Sequence, residues 1–145
     1  MNKPLPEPFY LALVSFLLQA KQQVIAISSE FGLTSIQALT LLMLDDIKAP
    51  SMSGFCKLYD CDASNITGIV DGLENKGLVS RQPHPSDRRI KIIHLETEGK
   101  KLQSQIVKRL AETSDHLFHG LNETELKQFA SLVQKLDINK HSPLR

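Results

Sequence analysis

The stretch DASNITGIVDGLENKGLVSRQPHPSDRRIKIIHL, residues 62–95, decides the fold. Its first half is helical in period: Ile66, Ile69, Val70 and Leu73 fall at i, i+3, i+4 and i+7 and share one apolar face. Asp62 or Ser64 can cap this helix, which runs to about Lys76 with Gly77 at its C-terminal side. The period then shortens. Leu78-Val79-Ser80-Arg81 reads as a strand, Pro83-His84-Pro85-Ser86-Asp87 as a tight turn, and residues 90–95 as the returning strand of a hairpin.

Working outward, Ser51 or Ser53 opens a short helix holding Phe55, Cys56 and Leu58, and Asp60-Cys61-Asp62 is a turn. Residues 53–76 therefore read as a helix-turn-helix with the hairpin as its wing. A preceding helix starts at Thr34 or Ser35, carries Leu39, Leu42, Met43 and Ile47, and ends at Ala49-Pro50. The first helix, over twenty residues long, bears Phe9, Leu13, Phe16, Leu17, Val24 and Ile27 and stops at Phe31-Gly32. After the hairpin, a long amphipathic helix runs from about Thr97 through Leu102, Ile106, Leu110 and Leu117. Asn122 with Glu125 signals a last helix bearing Leu126, Phe129, Leu132, Val133 and Leu136.

The expected fold is mainly α with a small β-hairpin wing, in the order four helices, hairpin, two helices. We read one domain over residues 1–145: a winged helix-turn-helix lobe over about 34–96, with dimerisation helices over about 7–32 and 97–140.

Composition narrows the function. With 41% hydrophobic and 23% charged residues the chain is an ordinary globular domain, and at a net charge of +1 any electrostatic attraction to nucleic acid must be local. The apolar run Phe9–Leu18 is half of the roughly 20 residues a bilayer-spanning helix needs, so no membrane partner is expected. No basic n-region or cleavage site precedes it, which points to the cytoplasm. Two cysteines make no disulfide framework, and Cys56 beside Phe55 reads as a small core hydrophobe. His116 and His119 lack the further ligands of a metal site and read as surface residues. No phosphate loop, zincin helix or nucleophile elbow is present, so neither an enzyme nor a cofactor is expected.

The helix of residues 64–76 turns Ser64, Gly68, Asp71 and Asn75 away from its apolar face, with Asn65 and Thr67 on the flanks. Such short polar side chains can approach the floor of a major groove and offer hydrogen bonds to base edges. The hairpin beside it is basic: Lys76, Arg81, Arg88, Arg89 and Lys91 stand against Asp87 alone. Cations there suit phosphate, and an arginine at a hairpin tip can enter a narrow minor groove. Asp87 is expected to hold the wing in shape by bonding a neighbouring arginine or capping the turn.

The run Val70-Asp71-Gly72-Leu73-Glu74-Asn75-Lys76-Gly77-Leu78-Val79-Ser80-Arg81, followed six residues later by Asp87-Arg88-Arg89, resembles the MarR family of transcription regulators. Ser64-Asn65-Ile66-Thr67 and Leu95 with Gly99 extend the resemblance to nearly the whole chain. It implies a homodimer whose terminal helices intertwine, a recognition helix in the major groove of double-stranded DNA, and wing arginines, here Arg88 and Arg89, in the minor groove. Ser64, Asn65 and Thr67 become the base-reading candidates, and Gly68, Asp71, Lys76, Arg81 and Lys91 complete the expected DNA-binding set. Phe9, Leu13, Phe16, Leu17, Leu126, Phe129 and Val133 are expected at the dimer interface, since one small lobe cannot cover so much apolar face. A dimer would read a pseudo-palindromic operator, and family members sense small-molecule effectors between the dimer helices and the lobes.

The chain departs from the family where Gly68 and Gly72 replace basic residues, each weakening the helix by about 1 kcal/mol relative to alanine. Glu96 replaces a threonine before the fifth helix, leaving the N-cap to Thr97 or to the Glu96 carboxylate. The glycines and the near-neutral charge support a rival reading: a dimeric winged-helix protein that binds a protein partner and lacks productive DNA recognition.

Overall fold

The computed structural model describes residues 6–44 and 50–136. Helix α1 (Glu7–Glu30) starts after Pro6, with Pro8 in its first turn where no amide donor is missed. It stops where Gly32 adopts a φ of 65° and Leu33 N–H reaches the Ser28 carbonyl at 3.0 Å. Helix α2 (Ser35–Met43) opens on a capping box: Thr34 Oγ1 accepts from Gln37 N–H at 3.2 Å, and Gln37 Oε1 accepts from Thr34 N–H at 3.1 Å.

The apolar side of α2 differs from the expected one. Ala38 and Leu41 enter the core with Thr40, whereas Leu39 and Met43 are exposed and Leu42 is half-buried. Thr40 can be buried because its hydroxyl donates to Ile36 O at 2.7 Å and meets Tyr59 Oη at 3.0 Å. Ile47 lies outside the described residues.

Helix α3 (Met52–Tyr59) is capped by Ser51, and α4 (Ala63–Asn75) by Asp62. Strands β1 (Val79–Pro83) and β2 (Lys91–Leu95) pair antiparallel from Val79 opposite Leu95 to Pro83 opposite Lys91. A bridge from Ser51 to Ile92 fastens the returning strand β2 to the start of α3. Helix α5 (Thr97–Glu112) is shorter than expected: Thr113 ends it, and Leu117 belongs to a separate turn, α6 (Asp115–Phe118). Helix α7 (Glu123–Lys135) opens on the Asn122–Glu125 capping box. Glu96 is the N-cap of α5, but its carboxylate makes no cap hydrogen bond.

One core joins these elements. Leu41, Phe55, Ile66, Leu73, Ile93 and Ile106 are completely or almost completely buried, drawing on α2, α3, α4, β2 and α5. The terminal helices are anchored to the lobe by polar bonds as well. Gln103 Nε2 donates to the Leu41 and Leu44 carbonyls, both at 2.9 Å, and Gln23 Nε2 donates to Thr113 Oγ1 at 2.9 Å. Arg109 pairs with Glu30 at 2.8 Å, which raises the arginine's pKa further.

By length and composition α1 as a whole could cross a bilayer, which its first ten apolar residues do not reveal. Its C-terminal half is built into the lobe, with Gln23, Ile27 and Ser28 buried. The exposed half is apolar on two opposite sides: Phe9, Leu13 and Leu17 on one, Leu11, Val14 and Leu18 on the other.

The tightest backbone approach lies where the wing returns to α5. Glu96 N–H donates to Leu78 O at 3.0 Å, and a Cβ on Gly99 would sit 2.0 Å from that same oxygen. Gly99→Ala must therefore push α5 away from the end of α4. It is expected to cost about 1–3 kcal/mol, measured as a lower urea midpoint at unchanged slope.

Candidate nucleic-acid interface

The recognition element begins at a rigid cap. Asp62 Oδ1 accepts from Asn65 N–H at 2.8 Å and from Ser64 Oγ at 3.0 Å. These bonds, led by the Asn65 amide, hold the Asp62 carboxyl below its usual range. Ile66, Val70 and Leu73 point into the core, Ile69 is half-buried, and Ser64, Asn65, Thr67, Gly68, Asp71, Asn75 and Lys76 are exposed on the outer side.

Hydrogen bonding distinguishes among the base-reading candidates. Ser64 donates to Asp62, and Thr67 Oγ1 donates to Ala63 O at 2.7 Å, so each hydroxyl has its proton committed. The Asn65 side-chain amide has no partner among the described residues and keeps both donors and its acceptor. An asparagine in that state can form the bidentate pair with adenine. Around Gly68 no atom would meet an added Cβ within 4 Å, so that position is open space. Gly72 lies instead against the Gln37 side chain, where a Cβ would come within 2.3 Å of Nε2.

Arg81 and Asp71, expected among the DNA contacts, are bonded to each other within the chain. The Arg81 guanidinium donates to Asp71 Oδ1 at 2.6 Å, to the Glu74 carboxylate, and to Thr67 O at 3.2 Å. Its backbone N–H also donates to Glu74 Oε1 at 2.8 Å. This residue of β1 thus holds α4 along its outer edge, with its charge offset by two carboxylates. Glu74 is the partner that sequence reading missed. Its position, seven residues before Arg81, becomes informative only once strand and helix are known to pack.

At the wing tip, Asp87 accepts from Arg89 N–H at 3.0 Å, Nε at 3.1 Å and a terminal nitrogen at 3.0 Å. These bonds hold the Asp87 carboxyl low and raise the Arg89 pKa. His84 Nδ1 meets Ser86 Oγ at 2.9 Å and accepts from Ser86 N–H, closing the same loop. Arg88, Lys91 and Lys76 are exposed and have no ion-pair partner among the described residues. With Arg81 neutralised, they and the outward-facing Arg89 carry the positive potential.

The other candidates separate by position. His116 and His119 are exposed, with Nδ1 against the Thr113 and His116 carbonyls respectively. Cys56 is half-buried rather than inside the core, as is Cys61. Phe16 meets Phe118 and Phe129 at centroid distances of 5.8 and 6.0 Å, so α1, α6 and α7 share an aromatic cluster. Phe9, Leu13, Leu17, Leu126, Phe129 and Val133 remain exposed in the single chain, Leu17 by as much as 56%.

A helix-turn-helix whose second helix is tied to an arginine-tipped hairpin defines the winged helix-turn-helix class. Residues 33–91 match the MarR family model. The chain thus carries a MarR-family domain at those residues, and its fold is that of solved MarR-family regulators. It superposes on apo MarR from E. coli with a TM-score of 0.74 at 20% identity, over 94% of this chain and 99% of that one. A mutant E. coli MarR complexed with operator DNA gives 0.67 at 20% identity, over 90% and 94% of the two chains. CouR from Rhodococcus jostii RHA1, bound to p-coumaroyl-CoA, gives 0.68 at 27% identity, over 94% and 96%.

The lowered Asp62 pKa has a consequence for stability. A carboxyl depressed in the folded state contributes stability that is complete above its unfolded value of about 3.9 and lost as pH falls through the folded value. Asp62→Asn keeps a competent cap without the charge. The wild type should therefore exceed Asp62→Asn in urea midpoint at about pH 6, and the difference should be smaller at about pH 3, below the unfolded value. An equal difference at both pH values would contradict this role of the charge.

Proposed function

We propose that this protein is a cytoplasmic, sequence-specific DNA-binding transcription regulator that acts as a homodimer on a pseudo-palindromic operator. The observation that carries the reading is the union of a free Asn65 amide on the exposed side of α4 with an arginine-bearing wing tied to that helix through Arg81. In this reading Asn65 reads base edges and Ser64 and Thr67 accept hydrogen bonds. Open Gly68 allows close backbone approach, and Lys76, Lys91, Arg88 and Arg89 engage phosphates and the minor groove.

The exposed apolar sides of α1 and α7 support the dimer. Covering Phe9, Leu13, Leu17, Leu126 and Val133 with a second copy removes them from water and sets two recognition helices about a two-fold axis. A small-molecule effector is part of the proposal. A cavity of about 320 Å³ lined by Leu42, Gln103, Ser104, Val107 and Lys108 lies between α2 of the lobe and α5, and the relative CouR is bound to p-coumaroyl-CoA. A ligand there shifts DNA affinity to the extent that it prefers one dimer geometry.

Selection of bound duplexes from a random pool, followed by affinity measurements across salt, tests the reading. Enrichment of a pseudo-palindrome with a steep salt slope is expected. A folded dimer that enriches nothing would favour the protein-partner reading. Arg88→Ala should weaken binding to all sequences and reduce the salt slope by about one, whereas Asn65→Ala should relax preference at one base position by about 1–3 kcal/mol. Leu17→Glu should convert the dimer to monomers in sedimentation. A folded, dimeric Leu17→Glu would contradict the interface.

A further inference from the structure

The two cysteines of the chain flank the end of α3: Cys56 lies in its last turn, and Cys61 in the turn that joins it to α4. Asp60 adopts a left-handed φ of 48°, and Cys61 N–H reaches back to the Cys56 carbonyl at 3.1 Å. The same closure ends α1, but there Gly32 supplies the positive φ. A helix ending of this kind brings together the side chains at the two ends of the closure, which here are thiols. Both residues are half-buried, so a small reagent can reach them. Burial and then the neighbouring Cys56 thiol push the Cys61 thiol up, ahead of the Asp62 and Asp60 carboxylates. A thiol held up in this way must lose its proton before its sulfur can attack.

We propose that Cys56 and Cys61 form a reversible dithiol–disulfide site whose oxidation state sets the position of the recognition helix. The effect on DNA binding rests on the function proposed above. The oxidant is a low-molecular-weight disulfide. One cysteine thiolate attacks it, forms a mixed disulfide and expels one thiolate. The second cysteine sulfur loses its proton to solvent, attacks the protein-bound sulfur, closes the Cys56–Cys61 bond and expels the other thiolate. Two cysteine thiols are oxidised by two electrons, and one small disulfide is reduced to two thiols. In a reducing compartment such a bond is transient, as a sensing site requires.

The consequence follows from geometry. A disulfide draws its sulfurs to about 2.05 Å, closer than any nonbonded contact. Cys61 directly precedes Asp62, whose carboxylate fixes the amide of Asn65 and the hydroxyl of Ser64. Pulling Cys61 toward α3 displaces that cap, and with it the first turn of α4, from which the proposed base contacts are made. Oxidation is expected to weaken operator binding on the order of tenfold.

The test treats the full-length protein with oxidised glutathione. The expected product has lost two hydrogen atoms by intact mass, carries no glutathione, and migrates as a single chain on a non-reducing gel. Its amide exchange at residues 62–67 is altered and its DNA affinity lowered, both restored by dithiothreitol. Cys56→Ser and Cys61→Ser should bind DNA like the reduced wild type and, with oxidised glutathione, give at most an unresolved glutathione adduct and no internal disulfide. In the wild type, a stable glutathione adduct, a cross-linked dimer, or a closed disulfide with unchanged exchange and affinity would overturn the proposal. If the reduced protein binds no DNA at any salt, the DNA-binding reading fails. The site then stands or falls on mass and amide exchange alone.

Discussion

The reading head depends on one arginine. Arg81 sits on the first wing strand, yet its guanidinium is spent on α4, bonding Asp71, Glu74 and the Thr67 carbonyl. A hairpin of two five-residue strands is marginal alone, and it acquires a fixed direction only by being fastened to something rigid. The Ser51–Ile92 bridge fastens its returning strand to α3, and Arg81 fastens its first strand to α4. Under the proposed function this lets Arg88 and Asn65 face the same duplex at a constant separation, as simultaneous reading of two grooves requires.

The next layer transmits this rigidity to the terminal helices. Gly99 lets α5 start against the Leu78 carbonyl, and Gln103 donates to the Leu41 and Leu44 carbonyls at the end of α2. Gln23 and the Glu30–Arg109 pair then bind α1 to α5. Movement of the long helices must therefore move the lobe. Under the proposed dimer this is what allows a ligand between α2 and α5 to alter the spacing of two recognition helices. The two apolar sides of α1 fit the same picture, since a helix sandwiched between its own chain and a partner needs both.

Much of this was legible in the sequence because local rules and tertiary structure agree. The cap at Thr34, the Asn122–Glu125 capping box, the glycine stop after Phe31, and the change of period at Gly77 follow from side-chain chemistry within a few residues. What escaped depends on distant partners. Leu39 and Met43 look like core residues of α2, but Ala38 and Leu41 face the core, and Thr40 is buried beside them because its hydroxyl finds Tyr59. The break between α5 and α6 carries no glycine or proline, and Thr113 is held there by Gln23 from α1. Arg81 read as a phosphate ligand because its charge is visible in sequence, whereas Asp71 and Glu74 become its partners only after the hairpin folds back.

The measurement that tests the account most directly is the salt dependence of operator binding by Arg81→Met, beside the wild type. If Arg81 acts by holding the wing on α4, affinity falls while the slope of log affinity against log salt stays unchanged, because no phosphate contact has been removed. If the slope drops by about one, Arg81 itself neutralises a phosphate, and the wing must be held by something other than the bonds described.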